Sequence, residues 1–203
     1  MKLKYISLTL ILFLAGLAIL GCEEDSPTSQ GLPEYLISFG FNNYWIYNSE
    51  SFENDSLRYR NVDTLKIKDE VIIWGGSEWM QYKGDTNVYW CNGVDGVWRL
   101  IIDNQYPNGI ADRYFSYPAT AGEVWYAVST DDSIRVVSTA ETVEVPAGLF
   151  KDCYYYQIVR SNDSRRVSVW VKPGIGIVQQ SDLMFINNDT LRTKSLLIEY
   201  YGS

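Results

Sequence analysis

The chain contains no histidine. That removes Ser-His-Asp and Cys-His catalysis, and with them the imidazole ligands that transition-metal sites usually need. Acid–base work is left to carboxylates, and two of them flanking a glycosidic bond can hydrolyse it. The candidates are Asp69-Glu70, Asp131-Asp132, and Glu141 with Glu144. The first two pairs are adjacent in sequence and fall at expected turns, where solvated surface is the simpler reading. Glu141 and Glu144 should point to opposite faces of a strand. Asn187-Asn188-Asp189 and the stretch around Asp103-Asn104 carry the oxygen ligands that calcium prefers, without the EF-hand spacing. No Gly-rich phosphate loop or nucleophile elbow is present. These residues predict no enzyme, no metal and no cofactor, with a carboxylate-dependent glycoside hydrolase as the least favoured activity.

Binding has better candidates. Aromatics make up 15% of the chain, with 16 Tyr and 7 Trp. Such residues fill curved, half-buried sheet faces, and they also stack on sugar rings. Four side chains, Trp90, Arg99, Tyr155 and Trp170, are singled out by the strands expected to carry them. If Gly93–Gly96 is a loop, Asn92 faces Val97 and pairing runs outward from there. One face then holds Cys91 with Trp98 and Tyr89 with Leu100. The other holds Val88 with Ile101 and Trp90 with Arg99, a cation–π pair.

If Ser161-Asn162-Asp163-Ser164 is a four-residue loop, Arg160 faces Arg165. Ile158 then opposes Val167, Tyr156 opposes Val169 and Tyr154 opposes Val171, all on one apolar face that should be core. Gln157 with Ser168 and Tyr155 with Trp170 occupy the other face. Both hairpins place an aromatic on the face away from the more apolar one. That second face is either a wet surface or one wall of a groove for an apolar or glycan ligand. A second core layer is the blander use of the same residues.

These hairpins belong to a longer series. Short Val/Ile/Tyr/Trp-rich runs recur between turn clusters at Gly84-Asp85-Thr86-Asn87, Gly93–Gly96, Asn104–Gly109, Ser161–Ser164 and Asn187–Asp189. Helical periodicity is almost absent after residue 21, apart from a short turn near Pro33–Leu36. The pattern predicts an all-β antiparallel domain, either one strongly curved sheet (a half-barrel) or a β-sandwich. Cys91 and Cys153 both lie in apolar strand contexts. They read as packed thiols or, in an oxidising compartment, as a disulfide.

Cys22 has the most specific chemistry. Lys2 and Lys4 precede an apolar run from Tyr5 to Leu20, which ends at Gly21-Cys22 and turns acidic at Glu23-Glu24-Asp25. A charged n-region, an apolar h-region and a small residue before the cleavage point make an export signal. The run is shorter than the roughly 18–20 residues of a permanent span. The block resembles the signal and lipobox of bacterial lipoproteins, which implies cleavage before Cys22 and lipid on its thiol. An ordinary secretory signal or an uncleaved anchor is the alternative.

The same resemblance makes 1–21 a lipoprotein signal peptide, 22–32 a flexible tether and 33–203 the β domain. Several acyl chains on one cysteine hold a protein firmly where a single chain would not. Glu23 after the cysteine favours the outer membrane by this resemblance. Glu23-Glu24-Asp25 is also similar to the acidic tag that carries some Bacteroidetes lipoproteins to the cell surface, so the periplasmic and outer sides both stay open. Loss of Lys2 and Lys4 would leave 15 basic against 25 acidic residues. That balance argues against nucleic acid or anionic lipid as a partner.

Four further segments resemble a layout shared by uncharacterised exported bacterial proteins. Asn42-Asn43-Tyr44-Trp45-Ile46-Tyr47 is similar to their early Gly-Asn-x-Trp-x-Tyr segment, with Asn42 at a position that tolerates positive φ. Pro118-Ala119-Thr120-Ala121-Gly122-Glu123-Val124-Trp125 resembles a second use of that motif. Val145-Pro146-Ala147-Gly148-Leu149-Phe150-Lys151-Asp152-Cys153 and Trp170-Val171-Lys172-Pro173-Gly174-Ile175-Gly176-Ile177-Val178 complete the set. Their residues are architectural: Pro146-Ala147-Gly148 ends one strand and starts the next, Lys172-Pro173-Gly174 reads as a type II turn, and Gly176 marks a bulge or close backbone approach. The resemblance implies a curved antiparallel sheet distantly like the LolA/LolB half-barrels, without helices to plug it.

The expected protein is a lipid-anchored, non-enzymatic binding or structural module of the cell envelope, with a surface-assembly or adhesion subunit as the alternative.

Overall fold

The computed structural model describes residues 34–161, 165–186 and 189–202. The signal peptide, Cys22 and the tether lie outside the described residues, as do Asn162 to Ser164 of one expected loop and Asn187-Asn188 of another.

Twelve strands follow one another in chain order: β1 (Tyr44–Glu53), β2 (Ser56–Trp74), β3 (Ser77–Tyr82), β4 (Val88–Gly93), β5 (Gly96–Ile101), β6 (Ile110–Ser116), β7 (Val124–Tyr126), β8 (Ser133–Val145), β9 (Gly148–Val159), β10 (Arg166–Lys172), β11 (Gly176–Ile186) and β12 (Asp189–Tyr201). No helix occurs among the described residues. All strands belong to one antiparallel sheet in the order β6-β5-β4-β3-β2-β1-β12-β11-β10-β9-β8-β7. This is an up-and-down meander whose first and last strands pair, so its only break is between β6 and β7. The fold is therefore all-β with a single curved sheet, and the sandwich alternative is not adopted.

Turn chemistry explains the meander. Asn54 and Asp55 both take positive φ (48° and 63°) between β1 and β2, and Gly75 and Gly76 do so (58° and 82°) between β2 and β3. Paired positive φ values are the two-residue turn whose twist suits a hairpin. Gly174 has φ 80° and the Ile175 N–H donates to the Lys172 carbonyl at 3.0 Å, the type II turn expected there. Asn42 takes φ 69°, as expected for an asparagine before β1.

Both hairpins take the register expected from their turns: Trp90 faces Arg99 and Cys91 faces Trp98, while Tyr155 faces Trp170 and Tyr156 faces Val169. The apolar face of the β9–β10 hairpin is core, with Tyr154, Tyr156, Ile158, Val167, Val169 and Val171 all buried. For the β4–β5 hairpin the expected faces are reversed. Trp90 and Val97 turn to the main core, alongside Tyr82, Phe115 and Tyr156. The Leu100 face has its own cover, because Gly109 brings the β5–β6 loop against Leu100 and Trp74, and Trp74 meets Trp79 edge-on at 5.9 Å. Both faces of this part of the sheet are thus buried, which alternation alone does not announce.

The chain before β1 fills the end of the curve where β1 starts. Leu36 and Ile37 are buried, the Tyr35 carbonyl accepts from the Gly174 N–H at 2.9 Å, and the Asn92 amide donates to the Ile37 carbonyl at 2.9 Å. The half-barrel does have a plug, made of bent, irregular chain rather than helix. Gly176 permits it: a Cβ there would lie 3.3 Å from the Trp45 indole nitrogen, and that nitrogen donates to the Ile175 carbonyl at 2.9 Å.

The break between β6 and β7 is closed by side chains. The Trp125 indole donates to the Arg113 carbonyl at 2.9 Å and the Tyr156 hydroxyl to the Ser116 carbonyl at 2.7 Å. Arg113 lies over the Trp125 ring, 5.2 Å from its centroid, and Ser116 donates to Glu123 at 2.8 Å.

Candidate functional site

β1, β2, β11 and β12 run on past the core, and their inward positions change character as they go. On β1 the inward series is Trp45, Tyr47, Ser49, and on β12 Leu197 gives way to Ser195; Trp45, Tyr47 and Leu197 belong to the core. Register places Ser49 opposite Ser195 and Ser51 opposite Thr193, Gln180 opposite Ser195 and Asp182 opposite Thr193. Two adjacent rungs of the concave face therefore carry small hydroxyls where a closed barrel would carry Val or Leu.

The result is an open trough. A hollow of about 230 Å³ is lined by Tyr47, Ser49, Asp63, Leu65, Ile177, Gln180 and Ser195, among others. The next rung adds a hollow of about 180 Å³ bounded by Ser51, Arg165, Asp182, Met184, Leu191 and Thr193. Ser49 and Ser195 share a hydrogen bond at 3.0 Å. The Tyr47 hydroxyl donates to the Ile177 carbonyl at 2.8 Å, and burial pushes this phenol well above its ordinary pKa, with the nearby Tyr82 phenol adding to the rise. The guanidinium of Arg165 is bound to both Asp182 oxygens, its Nε at 2.7 and 2.9 Å. Tyr59 stands opposite Ser51 across β1–β2 and is 57% exposed. Cross-strand partners share a face, so Tyr59 stands on the concave side of β2, beyond the residues that line the two hollows.

The residues selected from sequence lie elsewhere. Arg99 does not stack on Trp90; it sits over Tyr114, 4.9 Å from the ring centroid. Asp112, only 2% exposed, pulls it there with an ion pair at 3.1 Å, and the guanidinium also donates to Ser129 at 2.8 Å. Trp90 is half-buried: it packs edge-on to Tyr114 at 5.1 Å against the core and lines a hollow of about 440 Å³ with Tyr35, Phe39 and Met80. Tyr155 and Trp170 do come together, stacked at 4.5 Å and 5° on the outer face, where each ring turns one side to the other. The four residues form no common site.

The carboxylates divide similarly. Asp69 and Glu70 are exposed. Asp131 is exposed, but Asp132 is buried, against expectation, and accepts from the Ser161 N–H at 3.4 Å. Glu141 and Glu144 face Cys153 and Leu149 respectively on β9. Asp103 caps its own loop, accepting from the Gln105 and Tyr106 N–H groups at 2.8 Å each. Asp189 accepts from the Asn54 amide at 2.8 Å. Among the described residues no three acidic or cysteine side chains gather as metal ligands. Cys91 and Cys153 are free thiols rather than a disulfide. They stand on β4 and β9, which are not neighbours in the sheet, and burial pushes each thiol up to about 11.

The trough itself escaped the sequence reading. Its signal was present as hydroxyls at alternate positions, Ser49-x-Ser51 and Thr193-x-Ser195, in strands that carry Trp, Tyr and Leu on the same face nearer the plugged end.

No protein family matches the chain, and no curated protein is similar to it. Among solved structures, one from Parabacteroides distasonis, provisionally described as a lipoprotein, is 12% identical with a TM-score of 0.43, over 85% of this chain and 100% of that one. Another, from Bacteroides fragilis and provisionally described as an exported protein with a YmcC-like fold, is 16% identical with a TM-score of 0.38, over 83% of this chain and 99% of that one.

Proposed function

We propose that this chain is a non-enzymatic binding protein of the cell envelope, held by lipid on Cys22 at the outer membrane, with its ligand in the concave trough. The observation that carries the reading is the change of lining at Tyr47/Ser49: four strands continue beyond the core and present a hollow in which hydroxyls, an amide and a carboxylate stand beside an apolar wall. Tyr47 and Ser49 lie three and five residues into β1 from Tyr44, roughly 10 and 17 Å along the strand from its plugged end.

Two experiments test this. Intact mass of the full chain from cells, with and without globomycin, reads the lipid; unmodified Cys22 in the mature protein removes the anchor. A diazirine-bearing residue of about glutamine's size placed at Gln180, which lines the hollow, should capture an adduct in living cells, while one placed at Trp170 on the outer face should not. Equal capture at both positions, or none at 180, removes the trough as the binding site.

A second reading, a subunit of a surface assembly, is favoured by exposed apolar side chains near the hairpin tips, among them Leu57, Val62, Phe185 and Ile186. It predicts a partner protein crosslinked at those positions and none at Gln180.

A further inference from the structure

Resting on the trough reading, we infer that the ligand class is a neutral, hydroxyl-rich chain, a glycan segment, lying across Ser49, Ser195 and Gln180 with a ring against Tyr59. The lining selects for this by what it offers and by what it withholds.

Its deeper wall is apolar and makes up the larger part of the lining, the Tyr47 ring with Leu65 and Ile177. Its floor presents hydroxyls and an amide, groups that both donate and accept. A fatty-acyl chain would match that wall but would strip water from Asp63 and Gln180 without replacing those hydrogen bonds, each loss being costly. An anionic ligand would need a cation, and the guanidinium in the lining, Arg165, is bound to both oxygens of Asp182. Asp63 adds a carboxylate to the same lining, which disfavours anions further.

An extended peptide has a better place. The floor strands β1 and β12 are hydrogen-bonded on both edges, β1 to β2 and β12, and β12 to β1 and β11. They have no edge left for strand addition. Along residues 57–65, by contrast, β2 pairs only with β1 among the described residues, its pairing with β3 beginning at Ile67. Peptides recognised through backbone hydrogen bonds add to such edges, and that edge lies beside the trough rather than in it. What suits the floor is a ligand read by side chains: a polyol whose hydroxyls meet Ser, Gln and Asp groups and whose ring face meets an exposed tyrosine.

The test is calorimetric titration of the full chain with maltohexaose, cellohexaose and chitohexaose, and in parallel with palmitate and hexa-alanine. At least one hexasaccharide should bind. Ser195→Tyr, which fills the floor, should abolish that binding, and Gln180→Ala should weaken it. Tyr59→Ala should weaken it about tenfold through lost stacking, and Trp170→Ala should leave it unchanged. Denaturation midpoints for each variant separate loss of a contact from loss of fold. If palmitate or hexa-alanine binds and Ser195→Tyr blocks it while no saccharide binds, the ligand class is wrong and the trough reading stands. Saccharide binding that survives Ser195→Tyr and Gln180→Ala but not Trp170→Ala overturns both. Binding by none of the five probes overturns the glycan assignment.

Discussion

The body of this half-barrel and its lip are made from the same strands, yet they obey different rules. In the body, inward residues such as Trp45, Leu197, Tyr156 and Val169 are almost fully buried. The sheet there curls on itself, so the concave face meets its own far side and excludes water. In the lip, residues 56–64 of β2 are exposed throughout, and the concave positions of β1 and β12 carry Ser49, Ser51, Thr193 and Ser195. A two-residue step along β12, from Leu197 to Ser195, crosses from one regime to the other. Strand pairing holds both regions in shape. Apolar burial contributes only in the body, at about 25 cal/mol per Å² removed from water.

The largest expected difference appears at alkaline pH. Burial raises the phenol pKa of Tyr47, Tyr82 and Tyr156 above the ordinary 10.0. In the unfolded chain these phenols ionise near 10, whereas in the folded chain they stay protonated. Stability is therefore complete below pH 10 and is lost as pH rises toward the folded-state values. Denaturant titrations at stepped pH should show the midpoint falling steeply above about pH 10, together with a cooperative rise in tyrosinate absorbance. A midpoint constant to about pH 11.5 would mean that the body is not dry.

Next in size is Leu197→Ser. It leaves a cavity and a hydroxyl in the body, and urea unfolding should register a loss of about 3–5 kcal/mol. Trp125→Phe tests the side-chain closure between β6 and β7. The ring stays, but the Arg113 carbonyl loses its indole donor, a loss of about 1–2 kcal/mol. An unchanged value would show that water replaces the indole there, and that the seam is as wet as the lip.

The body was largely legible in the sequence, and the lip was not. Ile158, Tyr156 and Tyr154 facing Val167, Val169 and Val171 could be set by counting from a turn, because an antiparallel register follows from loop length and one fixed apolar face. The Asn42, Gly174 and Gly176 expectations rest on backbone geometry that only a few residue types accept. Arg99 failed for a different reason. Its partner Asp112 lies on β6, outside the hairpin being read, and a buried carboxylate outcompetes an aromatic ring for a guanidinium. Trp90 meets Tyr35 and Phe39 of the plug across a hollow, a long-range neighbourhood that the hairpin alone does not show. The trough was missed because serine in a strand reads as a solvent-facing residue. Its meaning appears only when Ser49 and Ser195 turn out to lie on the concave side.

That same reasoning gives the smallest effect and the sharpest comparison. Ser195→Val places an apolar, β-branched residue two positions from Leu197, on the same face of the same strand. If the trough is open to solvent, the Ser49 hydroxyl replaces its lost partner with water. Valine's better strand propensity offsets part of that cost. The net change in unfolding free energy should then stay within about 0.5 kcal/mol, against about 3–5 for the reverse exchange at Leu197. A gain well above that range would mean that position 195 already lies in dry core, and that body and lip are one continuous interior. A loss above it would mean that the Ser49–Ser195 pair is structural, so that these hydroxyls hold the lip together rather than wait for a ligand.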